Sequence, residues 1–116
     1  MEEESKLTKT ILSPNISGIY VSKADLLDIA ASIGYPLQIQ ERKRMLVEMF
    51  ALVKNPEDFV AIIDAFCDFI TKKKGVYQSI ADEYKSAKEC VELLSKRADE
   101  AIKELGKIKE EAALIA

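Results

Sequence analysis

The side chains that could perform chemistry are few in this 116-residue chain. The chain has no histidine, which removes imidazole acid–base catalysis, the histidine-dependent serine and cysteine nucleophiles, and metal sites that need imidazole. Its four glycines lie far apart, so they do not form a glycine-rich phosphate-binding loop. We therefore expect no enzyme activity, no bound metal and no cofactor.

Acidic and sulfur-bearing side chains lead to the same expectation. Adjacent acids on a helix point about 100° apart, so they do not form a carboxylate pair. Asp64 and Asp68 do share a helical face, but the face is polar and a solvated pair explains them. Cys67 and Cys90 are too few for a disulfide framework and lack the spacing of metal ligands. We expect reduced, packed thiols, and the sequence leaves a redox role open.

A basic cluster is the feature that suggests nucleic acid. Residues 28–35 are similar to the first half of a helix-turn-helix, which would place Arg42, Lys43 and Arg44 on the recognition helix. The second half departs from this motif, because Gln40 and Lys43 stand where apolar residues should be buried. The formal net charge of -3 also gives no general attraction to nucleic acid. DNA binding is therefore the alternative hypothesis.

The sequence gives no sign of a membrane or secretory address. No run of about 18 apolar residues is present, as a membrane-spanning helix would need. Met1 is followed by acidic residues, whereas a signal peptide begins with positive charge. We expect a cytoplasmic protein without a membrane partner.

A single all-α domain is predicted to position these residues. Residues 1–21 show no helical periodicity, so we expect a loop or a partly disordered arm, part of which lies across the helices. A helical domain over 22–116 follows, with a compact three-helix head over 22–74. Ser22 and Asn55 are suitable N-caps for two of its helices. The head helices are predicted at about 22–33, 38–54 and 56–74. The centre of the head is predicted to comprise Leu46, Phe50, Val53, Phe59, Ile62, Ile63, Phe66 and Ile70.

The C-terminal segment carries a heptad pattern, with apolar residues at alternating spacings of three and four. The pattern predicts one continuous helix over about 76–113, roughly 57 Å long. That length exceeds the roughly 35 Å diameter of a compact domain of this size, so we expect a second copy to cover the overhang and complete a bundle. A break near Gly106 is the alternative. The predicted seam includes Tyr77, Ile80, Tyr84, Ala87, Val91, Leu94, Ala98, Leu105 and Ile108.

These observations favour a non-catalytic cytoplasmic protein-interaction module that acts through helix–helix contacts. An adaptor, an assembly factor or an export-type chaperone would fit. Its expected partners are a second copy of itself and a further, unidentified protein, rather than nucleic acid. The alternative is a small dimeric helix-turn-helix-like DNA-binding regulator.

Overall fold

The computed structural model describes residues 6–13 and 18–115, and their regular structure is entirely helical. The prediction of an all-α fold with a long C-terminal helix is therefore confirmed. The helices are α1 (Lys6–Leu12), α2 (Lys23–Ser32), α3 (Arg42–Ala51), α4 (Pro56–Glu83), a 3-10 turn (Lys85–Ala87) and α5 (Lys88–Ile115).

The helices form two layers. One layer is the hairpin of α4 and α5, which pack against each other along their length. The other layer is built from the short helices, with α1 on α5, α2 on α4, and α3 beside both α1 and α2. The molecule measures 46 × 32 × 31 Å. A helix of 28 residues is about 42 Å long, so the hairpin sets the longest dimension.

Two helix starts follow the predicted capping chemistry. At α2, the Ser22 hydroxyl accepts from the Asp25 amide at 3.1 Å, and the Asp25 carboxylate accepts from the Ser22 amide at 2.9 Å. At α4, the Asn55 side chain accepts from the Asp58 amide at 2.9 Å, and Pro56 occupies the first helical position. These bonds satisfy amide groups that have no partner inside a helix.

The prediction that residues 1–21 form only a loop or disordered arm is wrong for Lys6–Leu12, which is helix α1. Ile11 and Leu12 are buried in the core, and this burial stabilises a helix too short to be stable alone. Ile19 and Val21 are buried as well, so part of the segment does lie across the other helices. Within the predicted N-terminal segment 1–21, residues 1–5 and 14–17 lie outside the described residues.

The second predicted helix, 38–54, is shorter than expected, since α3 spans Arg42–Ala51. Residues 35–41 are non-helical instead, and Pro36 disfavours helical geometry at Tyr35. Tyr35 and Leu37 pack against the core from this non-helical segment.

The predicted boundary at residues 74–76 and the continuous helix 76–113 are both wrong. Helix α4 continues through Gly75 to Glu83, and the chain then reverses through Tyr84 and the 3-10 turn. The alternative break near Gly106 is also wrong, because α5 runs through that residue. The reversal places the C-terminal half of the heptad pattern against the chain's own α4, so no single helix overhangs the domain.

The core lies between the two layers at the end of the hairpin where α4 begins. Of the predicted central residues, Leu46, Ile62, Ile63, Phe66 and Ile70 are buried. The others are partly buried and pack against that core: Phe50, Val53 and Phe59. Met45 and Met49 are fully buried too. We call this end of the molecule, with α1 to α3, the head.

Candidate protein-interaction surface

Two cross-helix ion pairs define the register of the hairpin. Lys74 bonds to Asp99, and Lys109 bonds to Asp64 at 2.9 Å. In each pair the two residues are nearly equidistant from the turn, as an antiparallel arrangement requires. The hydrogen bond that Lys109 donates to the Asp64 carboxylate raises the pKa of Lys109. Both pairs are solvent-exposed, so they contribute more to register than to stability.

One group from the predicted seam faces the inside of this chain. Ala98, Leu105 and the neighbouring Ala101 are buried in the core, and Ile108 packs against it. Val91 is buried nearer the turn. Small side chains such as Ala98 and Ala101 let two helices approach closely. These residues complete the hairpin, which gives them a role within the monomer.

A second group anchors the N-terminal segment. The Tyr77 hydroxyl donates to the Gly18 carbonyl oxygen at 3.3 Å. Gly18 has a φ of 74°, and a Cβ placed there would lie 2.5 Å from the Leu94 carbonyl oxygen and 3.1 Å from the Arg97 Cβ. Burial raises the pKa of Tyr77. Tyr77 and Leu94 therefore form part of the contact that holds residue 18 against the hairpin.

The hairpin projects from the head as a two-helix arm, which we define as residues 71–97 and which includes the contact of Tyr77 and Leu94 with residue 18. The structure describes all of these residues, and only Ala81 and Val91 among them are buried. Tyr77 packs against the core, but the large buried residues of α4 end at Ile70, so little else of the arm is covered. The arm is therefore a hairpin with solvent on most of its surface.

The predicted seam residues Ile80, on α4, and Tyr84, at its C-cap, are exposed on this arm. Ile80 is 41% exposed and Tyr84 is 59% exposed, and Val76, which the seam prediction did not include, is 52% exposed. Val76 and Ile80 lie four positions apart on one side of α4, and Tyr84 follows as the extended C-cap residue of that helix. We call them the arm face. Ala87 lies in the 3-10 turn and is partly buried. On α5, Leu93 is also exposed.

The head carries a second apolar surface, a shallow cleft between α1, α3 and the start of α4. Leu7, Val47, Phe50, Val53 and Phe59 line it. The Phe50 and Phe59 rings lie 5.6 Å apart between centroids and are tilted by 44°, a favourable aromatic geometry. These two rings pack against the core, so the cleft is partly satisfied within the head.

The basic cluster is divided by the fold. The Arg42 guanidinium donates to the Val21 carbonyl oxygen at 2.7 Å and to the Leu12 carbonyl oxygen at 3.4 Å. It also lies 4.3 Å from the centre of the Tyr20 ring. Arg42 therefore ties the N-terminal segment to α3, whereas Lys43 and Arg44 are exposed. Helices α2 and α3 are joined by residues 33–41, longer than the three- or four-residue turn of a helix-turn-helix.

The two cysteines occupy different environments. Cys67 is partly buried, and burial followed by the charge of Asp64 raises the pKa of its thiol. Cys90 is exposed. The hairpin register places Cys90 opposite Glu83, about 24 Å along α4 from Cys67. A disulfide needs Cα atoms within about 7 Å, so the two cysteines cannot pair within one chain.

Within residues 6–13 and 18–115, no group of three or more acidic, cysteine or histidine residues is arranged to hold a metal ion. No helix of the described chain is long and apolar enough to cross a membrane. Comparison with protein-family models, with curated proteins and with solved structures found no match to this chain.

Proposed function

We propose that this protein is a non-catalytic interaction module that binds other proteins through helix–helix contacts at the arm face. The observation that carries the proposal is the exposure of Val76 and Ile80 on one side of the projecting α4, and of Tyr84 at its C-cap. Contiguous apolar residues on a projecting element are typical of protein-binding surfaces. A helix presenting apolar residues every three or four positions suits packing against another helix.

Each apolar side chain of the arm face would contribute a moderate free energy of binding. Fully burying a large aliphatic side chain contributes about 1.5–3 kcal/mol. Because Val76 and Ile80 are about half exposed, covering each would contribute about 1 kcal/mol. Losing either contact should therefore weaken binding by several-fold.

An adaptor, an assembly factor or an export-type chaperone acting in the cytoplasm is the class that fits this proposal. DNA binding receives less support from the geometry. Arg42 is engaged with backbone carbonyl groups, which leaves Lys43 and Arg44 as the exposed part of the basic cluster. Capture from a cell lysate, with and without nuclease, separates protein binding from DNA binding.

The test compares proteins retained from a cell lysate by three immobilised forms of the full chain, with and without nuclease. The forms are the unchanged chain, Ile80→Asp, and Ile39→Asp as a matched control, because Ile39 is an exposed apolar residue of the head segment. We expect the unchanged chain and the Ile39→Asp control to retain a protein in stoichiometric amount, whether or not nuclease is added. The Ile80→Asp variant should not retain it.

Two outcomes would contradict the proposal. Equal retention by the unchanged chain and Ile80→Asp would place binding elsewhere. Retention of nucleic acid that is lost with an Arg44→Ala variant would support the DNA-binding alternative. Circular dichroism of each variant checks that the helices are intact.

A further inference from the structure

Building on the proposed function, we propose that the arm face binds the same face of a second copy of this chain. The two α4 helices would lie antiparallel, and the two-fold axis that relates them would cross each helix at the level of Gln78. Four residues on one stripe of α4 carry this inference: Lys73, Val76, Ile80 and Glu83.

The spacing of these four residues places them on a single helical stripe. They follow one another at intervals of three, four and three positions along α4, which is the spacing of a coiled-coil seam. Val76 and Ile80 form its exposed apolar centre. Lys73 and Glu83 form its two ends, so each end carries a charge of opposite sign.

The order of the residues is symmetric about Gln78. Val76 and Ile80 lie two positions on either side of it, and Lys73 and Glu83 lie five positions on either side. An antiparallel pair centred at Gln78 therefore places Val76 on Ile80 of the second copy, and Lys73 on Glu83 of the second copy. Both contacts occur twice, as a two-fold interface requires.

The charges discriminate between the possible orientations. A parallel pair in register would place Lys73 against Lys73 and Glu83 against Glu83, which is repulsive. The antiparallel pair converts both contacts into opposite-charge pairs. Electrostatic complementarity of this kind sets orientation and partner choice in helical interfaces.

Two polar contacts within the chain use other faces of α4. Lys74 bonds to Asp99, and Gln78 bonds to Asp82 at 3.2 Å. Lys73 and Glu83 are separated by about 15 Å along the helix axis, so they cannot pair with each other. The Lys73 ammonium lies 5.6 Å from the centre of the Phe69 ring, one turn earlier on the same side of α4.

The experiment measures self-association of the full chain by sedimentation velocity over a range of concentrations. Lys73→Glu creates two Glu–Glu contacts in a dimer with itself, and Glu83→Lys creates two Lys–Lys contacts. Each variant alone should therefore dimerise at least about tenfold more weakly. An equimolar mixture should recover dimerisation, because the mixed dimer restores both opposite-charge pairs. Asp82→Lys is the control for Glu83→Lys, because it makes the same change of charge on another face of α4. This control should dimerise like the unchanged chain.

Three results would overturn the inference. The unchanged chain could be monomeric at every concentration, the charge variants could dimerise as well as it does, or the mixture could fail to recover. None of these results would depend on the capture experiment with Ile80→Asp, which tests protein binding by the arm face separately. Circular dichroism shows whether the variants, which alter side chains at the arm surface, retain the helical fold.

Discussion

Replacing Gly18 with alanine tests the contact between the N-terminal segment and the hairpin. Gly18 has a φ of 74°, in the left-handed region, and its Cα faces the backbone of α5. A methyl group there would lie 2.5 Å from the Leu94 carbonyl oxygen. That oxygen belongs to a helix backbone and cannot move without disturbing α5, so the segment itself must shift.

The expected cost has two parts. The left-handed conformation costs a residue with a Cβ about 1 kcal/mol. The shift also weakens the hydrogen bond from Tyr77 to the Gly18 carbonyl oxygen and loosens buried Ile19, together about 2 kcal/mol. Gly18→Ala should therefore reduce the free energy of unfolding by about 3 kcal/mol, a large part of the stability of a small domain.

Gly34 provides the matched control. Its φ is 79°, and a Cβ added there would meet nothing within 4 Å. Gly34→Ala should therefore pay only the conformational cost, about 1 kcal/mol. Urea denaturation followed by circular dichroism measures both variants. Equal destabilisation by the two substitutions would refute the argument that close approach to α5 requires glycine at residue 18.

Three further predictions concern single side chains. Cys90 should react with a thiol reagent faster than Cys67, whose burial raises its pKa, and mass spectrometry should find no disulfide within a chain. Because folding raises the pKa of Tyr77 above its ordinary value of 10.0, the unfolded chain loses this proton first as the pH rises. The free energy of unfolding should therefore fall as the pH rises above about 10, and Tyr77→Phe should reduce that fall in pH-dependent denaturation. Val91→Asp should lower the free energy of unfolding by about 2–4 kcal/mol, because it buries a charge inside the hairpin. A melting temperature equal to that of the unchanged chain would contradict the burial of Val91.

Local chemistry allowed several parts of the fold to be predicted from the sequence. The caps at Ser22 and Asn55 act over three residues and need no tertiary context. The apolar stripe from Ile62 to Ile70 predicts a buried helix face by its periodicity alone. Helix α1 gave no such signal, because its stability comes from burying Ile11 in a core assembled from distant segments.

The reversal of the hairpin could not be predicted because the heptad pattern keeps its phase through the turn. Tyr84, Ala87 and Val91 continue the spacing of three and four across the 3-10 turn. No glycine or proline marks the turn, whereas Gly75 suggested a break where α4 is continuous. Periodicity therefore identified the apolar positions, but it could not distinguish one long helix from two that fold together. The same ambiguity hid the arm face, since its exposure depends on where the head ends.

The arm has a length that the rest of the fold does not fix. Between the contact made by Tyr77 and Leu94 and the tip of the arm, the buried residues are Ala81 and Val91, which lie within the hairpin itself. Adding seven residues to α4 after Tyr77 and seven to α5 before Leu94 would preserve the heptad phase. The tip would then move outward by about 10 Å, while the head kept all of its contacts. The hairpin can thus serve as a spacer whose reach changes in steps of two helical turns, independently of the domain that supports it.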